Sequence, residues 1–590
     1  MCILGQKIRN SAQRVRRLIS VLLLSAIGDP QTKRPSGSSN MTKSSAGRPF
    51  VVRDPVHGYL SVAAHERLVV DTPITQRLRR IGQTGLAEMV FPEAKTSRFV
   101  HSLGAMHLAS RFIVAALENG SRTDVQSFFD EVEAQINWKT LRMEDLDCLL
   151  EHSGALNALS AIRFSSFVDA DSLKGKQNRR LLALIEGALR LAALFHDLGH
   201  LPFSHDGEYA LQDFASSREA AGKSLPTATL EIANVKAPHE EIGHALADIV
   251  LRLLPESGMA VRHVYSLAMQ ILNTTEPDYG LFKHQPTSAL QWLHSLVDGE
   301  IDVDRADYLL RDGQALGLDF AQYDLDRLVA NLVLIKTAEL GYITAVSEPG
   351  LAALESYCVT RSRSHQVFVR HHKVSQVATA LRYASMRLMD TSAAGPLLDF
   401  LSKLKNVQSD EERRNALHAY AVLDDGWWFQ QLRGLQASTS EPLLSACLDV
   451  TLDRAPRLRS IWKRKGDLSP EQVSSLQERI RDWTSPATGR VRLQETRRLL
   501  LQKGVIFNFF QFRPYVQIRD TKDQDSVMVI RSKNGQLRPA SRMSPLIRHL
   551  WDLWKEDVPL YAFADRNNAV TTDEVLELMT PDTESNPKRK

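Results

Sequence analysis

Residues 181–205 read LLALIEGALRLAALFHDLGHLPFSH, an apolar run that ends in a burst of histidine. Residues 181–195 are apolar on most faces apart from Glu186 and Arg190, the pattern of a helix set deep in a core. The run leads directly into HDLGHLPFSH (196–205), which places three of the chain's 18 histidines, His196, His200 and His205, within ten residues. A histidine beside an aspartate at the end of a buried helix supplies a neutral nitrogen and an anionic oxygen at one point, which suits a borderline divalent ion. His196 and Asp197 alone do not close a site. Candidates for the remaining ligands are His101 in SRFVHSLG and Asp304 in IDVDRADYLLRD, each in a segment whose apolar periodicity leaves a single polar face.

Helical spacing extends the site. Asp304, Tyr308 and Asp312 are four apart and fall along one stripe of a helix, with Arg305 one residue off it. Arg98 lies three residues before His101 on the same face. Each arginine therefore flanks a proposed ligand, and guanidinium binds phosphate oxygens bidentately without losing its charge. The pattern points to a phosphorylated substrate.

Around this centre the chain reads as mainly α. RPFVVRDPVHGYLSV (48–62) is expected to form a short strand pair turning at Asp54-Pro55 and His57-Gly58, and DTPITQRLRRI (71–81) to open a helix capped by Asp71 with Pro73 in its first turn. Helices then dominate to about residue 500. Residues 118–180 are more polar, with SLKGKQNRR (172–180) expected as an exposed loop, and read as an insertion between motifs that must meet in space. After residue 500, VMVIRSKNGQLRP (527–539) has two strands around an Asn534-Gly535 hairpin signal, followed by a helix holding Trp551 and Trp554 and then PLYAFA (559–564). The expected organisation is a leader or disordered segment at 1–48, a helical core at 49–375, a helical extension at 376–500 and a small α+β lobe with a polar tail at 501–590.

Composition narrows the function classes. The 590 residues carry a net charge of +4 with 24% charged side chains, which excludes a histone-like or basic-tail DNA binder. Gly (30) and Pro (24) are too few for a low-complexity chain. The four cysteines, at 2, 148, 358 and 447, have no paired spacing, which excludes a CxxC zinc module and fits a reducing, cytoplasmic compartment. Basic residues followed by the apolar run Leu18–Ile27 sketch a signal peptide, too short for a membrane span. An irrelevant or disordered leader ahead of Met41, export, and a membrane-surface helix remain the readings of that segment.

With those residues in hand, His101, His196-Asp197 and Asp304 resemble the H…HD…D signature of the HD-domain metal-dependent phosphohydrolases. DPVHGYL, DTPITQRLRRIGQTG, VFPEAKTSRFVHSLG, HDLGHLPFSH, PHEE and IDVDRADYLLRD recur in order and resemble the deoxynucleoside triphosphate triphosphohydrolase (dNTPase) branch, strongly over residues 50 to 375. That branch includes animal enzymes with a SAM domain, of which no counterpart is read in residues 1–48. The resemblance implies an HD-domain helical core and one divalent ion (Mn, Fe, Zn or Mg) on His101, His196, Asp197 and Asp304. It also implies His200, His205 and His239 around the triphosphate, with His205 as general acid, and Arg98 and Arg305 on phosphate oxygens. Gln83, Tyr308 and Asp312 would recognise the sugar, with Tyr308 packed where a ribose 2′-hydroxyl would have to fit. The implied reaction expels the nucleoside 5′-oxygen from the α-phosphorus, giving deoxynucleoside and tripolyphosphate.

The sequence departs from the branch in three places. The separation of His101 from His196 is long, Phe368 stands where a tyrosine is usual, and Phe50 and Val346 fall where activator-binding basic residues are expected. At least a homodimer is expected, assembling without a nucleotide trigger unless Arg327 or Arg370 takes over that grip. Three functions stay open: dNTP triphosphohydrolase, a metal phosphohydrolase acting on another nucleotide or on single-stranded nucleic acid ends, and a non-catalytic nucleotide-binding scaffold. No interleaved basic and aromatic patch supports the nucleic-acid case.

Overall fold

The apolar run sits inside the helix Leu173–Phe195, and every residue from Leu181 to Phe195 is buried. The structure is a computed structural model describing residues 49–139, 141–150, 173–254, 258–273, 287–483, 489–509, 529–531, 535–555 and 560–579. The leader 1–48, most of the second half of the 118–180 segment and Asn534 lie outside the described residues.

The two charges within residues 181–195, Glu186 and Arg190, are buried because each has a partner. Arg190 donates through Nε and Nη2 to the Glu66 carboxylate (2.5 and 2.9 Å) and through Nη1 to Ser110 Oγ (3.0 Å), whose hydroxyl donates to Glu186 Oε1 (2.7 Å). Burial works against the Glu66 charge, but the Arg190 guanidinium outweighs it and holds the carboxyl below its ordinary value. Arg98–Asn119 and Met259–Leu272 flank this helix in the core. Among the described residues Arg98–Asn119 is the one helix long and apolar enough to cross a membrane, and it is mostly buried inside the protein.

Val303–Ala315 crosses Arg98–Asn119 at Gly104. A Cβ there would lie 1.9 Å from Asp307 Oδ1 and 2.5 Å from Arg311 Nη2, so only glycine permits the approach that brings Asp304 and Asp307 to His101. Gly199 plays the same part against Pro238–Leu253, where a Cβ would lie 2.1 Å from the His239 carbonyl oxygen. That contact brings His239 to His200.

The fold is mainly α, with three small sheets among the described residues. Phe50–Asp54 and Gly58–Val62 pair antiparallel as expected, with Gly58 at φ +80° in the turn. Two expectations need correction. The helix Pro73–Arg77 is capped by Thr72, whose hydroxyl accepts the Thr75 N–H, while Asp71 ends the preceding helix Ala64–Val70. Residues 173–180 are not an exposed loop but the first turns of the core helix. Gln177 there bonds Glu133, and Asn178, nearly buried, donates to Gln126 Oε1 at 3.0 Å, so polar partners on Arg122–Gln135 satisfy what reads as a solvated stretch. The strands after residue 500 divide between two sheets. Val529–Arg531 and Leu537–Pro539 pair with each other and extend the hairpin Leu332–Thr337/Gly341–Ser347, whereas Val505–Phe509 and Leu560–Asp565 join Leu458–Ser460. Trp551 and Trp554 fall in the helix Pro545–Lys555, as expected.

Candidate metal centre

His101 projects from the first turn of Arg98–Asn119, His196 and Asp197 from the end of the core helix, and Asp304 from the first turn of Val303–Ala315. The structure brings all four together. His101 Nε2 lies 3.0 Å from Asp304 Oδ1 and 3.4 Å from Asp197 Oδ2, and His196 Nε2 lies 3.4 Å from Asp197 Oδ1 and 3.6 Å from Asp304 Oδ1. Both Nε2 atoms are buried, and no nearby oxygen is aligned to hydrogen-bond them. Their Nδ1 atoms are occupied: His101 Nδ1–H donates to Asp307 Oδ2 (2.8 Å) and His196 Nδ1–H to the Ala193 carbonyl (2.6 Å). Each ring therefore turns its Nε2 toward the same carboxylates. Two imidazoles and two carboxylates around orphaned buried nitrogens fit a borderline divalent ion. Burial disfavours charge on His101, yet Asp304 and Asp307 outweigh it and raise the imidazole to about 10. Asp197 is held well below the usual carboxylate range, with Arg98 and its neighbouring histidines overcoming the cost of burial.

Asp307 is the residue that sequence reading missed. It is fully buried, accepts from His57 Nε2 (2.7 Å) as well as His101, and takes two bonds from Arg311 (2.8 Å each), which in turn donates to Asp54 Oδ2 (2.7 Å). Its signal was the third carboxylate of IDVDRADYLLRD.

Beside this centre, His200, His205 and His239 meet on a second missed residue. The buried Glu208 carboxylate accepts from His200 Nδ1 (2.5 Å) and His239 Nδ1 (2.8 Å), with His205 Nδ1 at 3.4 Å. The His200 and His239 rings stack at 4.1 Å, and His205 meets both edge-on. Burial lowers His200 to about 4, and Glu208 keeps its charge well below the ordinary range because the three rings overcome its burial. His200 Nε2 lies 3.0 Å from Asp197 Oδ1, so the two groups share an edge. Only His205 is open to solvent, its side chain 54% exposed. Glu208 could have been read from its place three residues after His205 in the first helical turn.

The arginines are placed differently from the expectation. Arg98 is buried and donates to Asp197 Oδ2 (2.8 Å), Ser204 Oγ (3.0 Å) and the Gln83 carbonyl (3.2 Å), so it holds a proposed ligand. Arg305 is tied to Asp302 and the Gly299 carbonyl. Beside Tyr308, which Arg305 also neighbours, stands Arg361, buried, with Nη1 on Glu300 Oε2 (3.3 Å) and Nε without a hydrogen-bond partner. A single π-helical turn, His365–Val369, follows it; burial and the surrounding arginines lower His365 to about 3. Gln83 Oε1 and Asp312 Oδ1 are also buried and unpartnered, and burial raises Asp312 to about 7. Tyr308 packs half-buried on the same helix. Phe368 packs with Phe91 at 5.4 Å rather than standing free.

This core and its histidine–carboxylate centre have the character of the HD-domain phosphohydrolases, which the chain resembles. Within them the resemblance is to the dNTPase branch. No family model matches the chain. It is similar to the deoxynucleoside triphosphate triphosphohydrolase SAMHD1 of Gallus gallus, 23% identical over 447 residues that cover 74% of this chain and 59% of the relative. Against that of Homo sapiens it is 25% identical over 287 residues, 47% of this chain and 35% of the relative. An HD-domain-containing protein of Acanthamoeba polyphaga mimivirus is 21% identical over 287 residues, 49% of this chain and 47% of the relative. The chain thus spans about a third to three-fifths of these relatives' lengths. The crystal structure of a phosphohydrolase from Bacteroides thetaiotaomicron shares the fold, with a TM-score of 0.53 and 19% identity over 88% of this chain and 99% of that one.

Proposed function

We propose that the chain is a metal-dependent phosphohydrolase that splits dNTPs into deoxynucleoside and tripolyphosphate. The observation that carries the reading is the pair of buried, unpartnered Nε2 atoms of His101 and His196 facing the Asp197 and Asp304 carboxylates. A divalent ion bound there supplies Lewis acidity toward a phosphate oxygen and lowers the pKa of water at the site.

The protein groups divide the rest of the work. Arg98 and Asp307 fix the ligand side chains, and the unpartnered Arg361 Nε offers a donor to the polyphosphate. A water oxygen bonds to the α-phosphorus as the bond to the nucleoside 5′-oxygen breaks. His205 has its Nδ1 beside Glu208 and its edge open to solvent, so its Nε2 proton is the one available to the leaving oxygen. Gln83 Oε1 and Asp312 Oδ1 supply polar atoms for the sugar, with Tyr308 limiting its size.

An assay of the metal-loaded protein against all dNTPs and NTPs, with product identification, tests the reading. Tripolyphosphate from dNTPs supports it; release of pyrophosphate and monophosphate refutes it. His205→Ala is expected to lower turnover by about 10²–10⁴ with substrate binding largely kept. The same reading takes the working unit as at least a homodimer in the cytoplasm.

A further inference from the structure

Immediately before His205 the backbone takes two conformations that L-residues rarely adopt. Phe203 has φ +62° and Ser204 φ +58° with ψ −131°, and neither is glycine. Such pairs persist only where surrounding contacts over-determine them, and they gather at functional sites. Here the contacts come from a distant part of the chain. Asp425, the first residue of the helix Asp425–Ser438, accepts the Phe203 N–H on Oδ1 (2.7 Å) and the Gly82 N–H on Oδ2 (2.8 Å). Ser204 Oγ donates to the Gly82 carbonyl (2.7 Å), and the Phe203 ring stands edge-on to Phe429 of the same helix at 5.0 Å. One carboxylate therefore bridges the two backbone segments that close the turn.

Just upstream, Tyr420 and Arg77 secure the beginning of the same loop. The Tyr420 hydroxyl lies 2.9 Å from the carbonyl oxygens of Gly199 and His200, Arg77 Nη1 donates to the latter at 2.9 Å, and the guanidinium stacks 4.0 Å over the Tyr420 ring. These contacts hold residues 199 and 200; at 203–204 the Ser204 hydroxyl is held by the Gly82 carbonyl and by Arg98 Nε (3.0 Å), and the backbone N–H of Phe203 is held by Asp425. Asp424 has a separate task, capping its own helix through the Trp427 N–H and pairing with Arg80.

We propose that Asp425 is a positioning residue for the general acid: by accepting the Phe203 and Gly82 N–H groups it holds the left-handed Phe203–Ser204 turn in the conformation that delivers His205 to the Glu208 group. The inference rests on His205 acting as the acid.

The test compares Asp425→Ala, Asp425→Asn, His205→Ala and the double variant Asp425→Ala/His205→Ala on a dNTP and on bis(p-nitrophenyl) phosphate, whose leaving group needs no proton. Displacing the acid by about an ångström costs turnover by roughly 10²-fold. Asp425→Ala is expected to lose about that in kcat on the dNTP, with KM and bound metal unchanged. The ratio of dNTP to aryl-ester turnover falls in both single variants, and the double variant is no slower on the dNTP than His205→Ala alone. Equal losses on both substrates, or a double variant slowed by the product of the single effects, overturn the proposal. Asp425→Asn keeps one acceptor and guards against a misfolded alanine variant: amides of residues 200–206 are expected to exchange about tenfold faster with the rest of the protein unchanged, and unaltered exchange also overturns it. His205→Ala without effect on the dNTP removes the acid itself, and the positioning role falls with it.

Discussion

Asp307→Asn is the substitution whose consequence follows most directly from the site. The side chain keeps its volume inside a contact so close that a Cβ on Gly104 would collide with it, so the helix crossing is preserved. The carboxylate now receives four hydrogen bonds, from His101 Nδ1, His57 Nε2 and two nitrogens of Arg311, all between 2.7 and 2.8 Å. A carboxamide has one acceptor oxygen and turns an NH2 group toward donors: in place of Oδ2 it opposes His101 Nδ1 and Arg311 Nε, and in place of Oδ1 it opposes His57 Nε2 and Arg311 Nη2, so the full set that orients His101 cannot be kept. Losing the partner of a ligating histidine typically weakens metal binding by about 10–100-fold. We expect Asp307→Asn to bind Mn²⁺ in that range below wild type by calorimetry, with the helix content of the wild type. Asp307→Ala strands the buried Arg311 on Asp54 alone, and breaking such a pair costs about 3–5 kcal/mol, which a denaturant titration would read. Unchanged metal affinity in Asp307→Asn would refute the idea that this carboxylate sets the orientation of His101.

Three further outcomes are expected. Elemental analysis of His196→Ala/Asp197→Ala should find the ion lost, and unchanged metal content would sink the ligand assignment. Because the folded Glu66 carboxyl is held below its ordinary value of 4.5, the stability it contributes is fully present above that pH and is lost as pH falls below it. Glu66→Gln should therefore flatten the stability curve below pH 4.5, the ordinary value of the carboxyl, and an unchanged slope there would contradict the pairing. Light scattering at fixed protein concentration should show at least a dimer without nucleotide. Val346 lies buried in its strand and Phe50 sits half-buried against Arg67, so neither offers a cation to an activator phosphate; a tetramer that forms only on nucleotide addition would overturn this.

Much of this arrangement could be read from the sequence, because the core helix announces itself by apolar content and places His196 and Asp197 at its end. The chain order of His101, His196-Asp197 and Asp304 then located the centre. The partition of carboxylates in IDVDRADYLLRD could not be read, since spacing alone does not separate them. Asp302 caps the helix through the Arg305 N–H, Asp304 reaches the Nε2 side, and Asp307 takes the Nδ1 side. The arginines beside the ligands were legible as cations but not as groups already committed to Asp197 and Asp302. The hairpin Leu332–Ser347 was missed although β-branched residues mark both of its runs. The turn at Phe203–Ser204 gave no signal, because neither residue favours positive φ and the contacts that hold it come from residue 425.

The central claim is hydrolysis at the α-phosphorus, and turnover of a dNTP by the metal-loaded protein in H₂¹⁸O tests it most directly. Mass spectrometry should find one ¹⁸O per turnover in tripolyphosphate and none in the deoxynucleoside. Label in a nucleoside monophosphate, or pyrophosphate as the product, would contradict it.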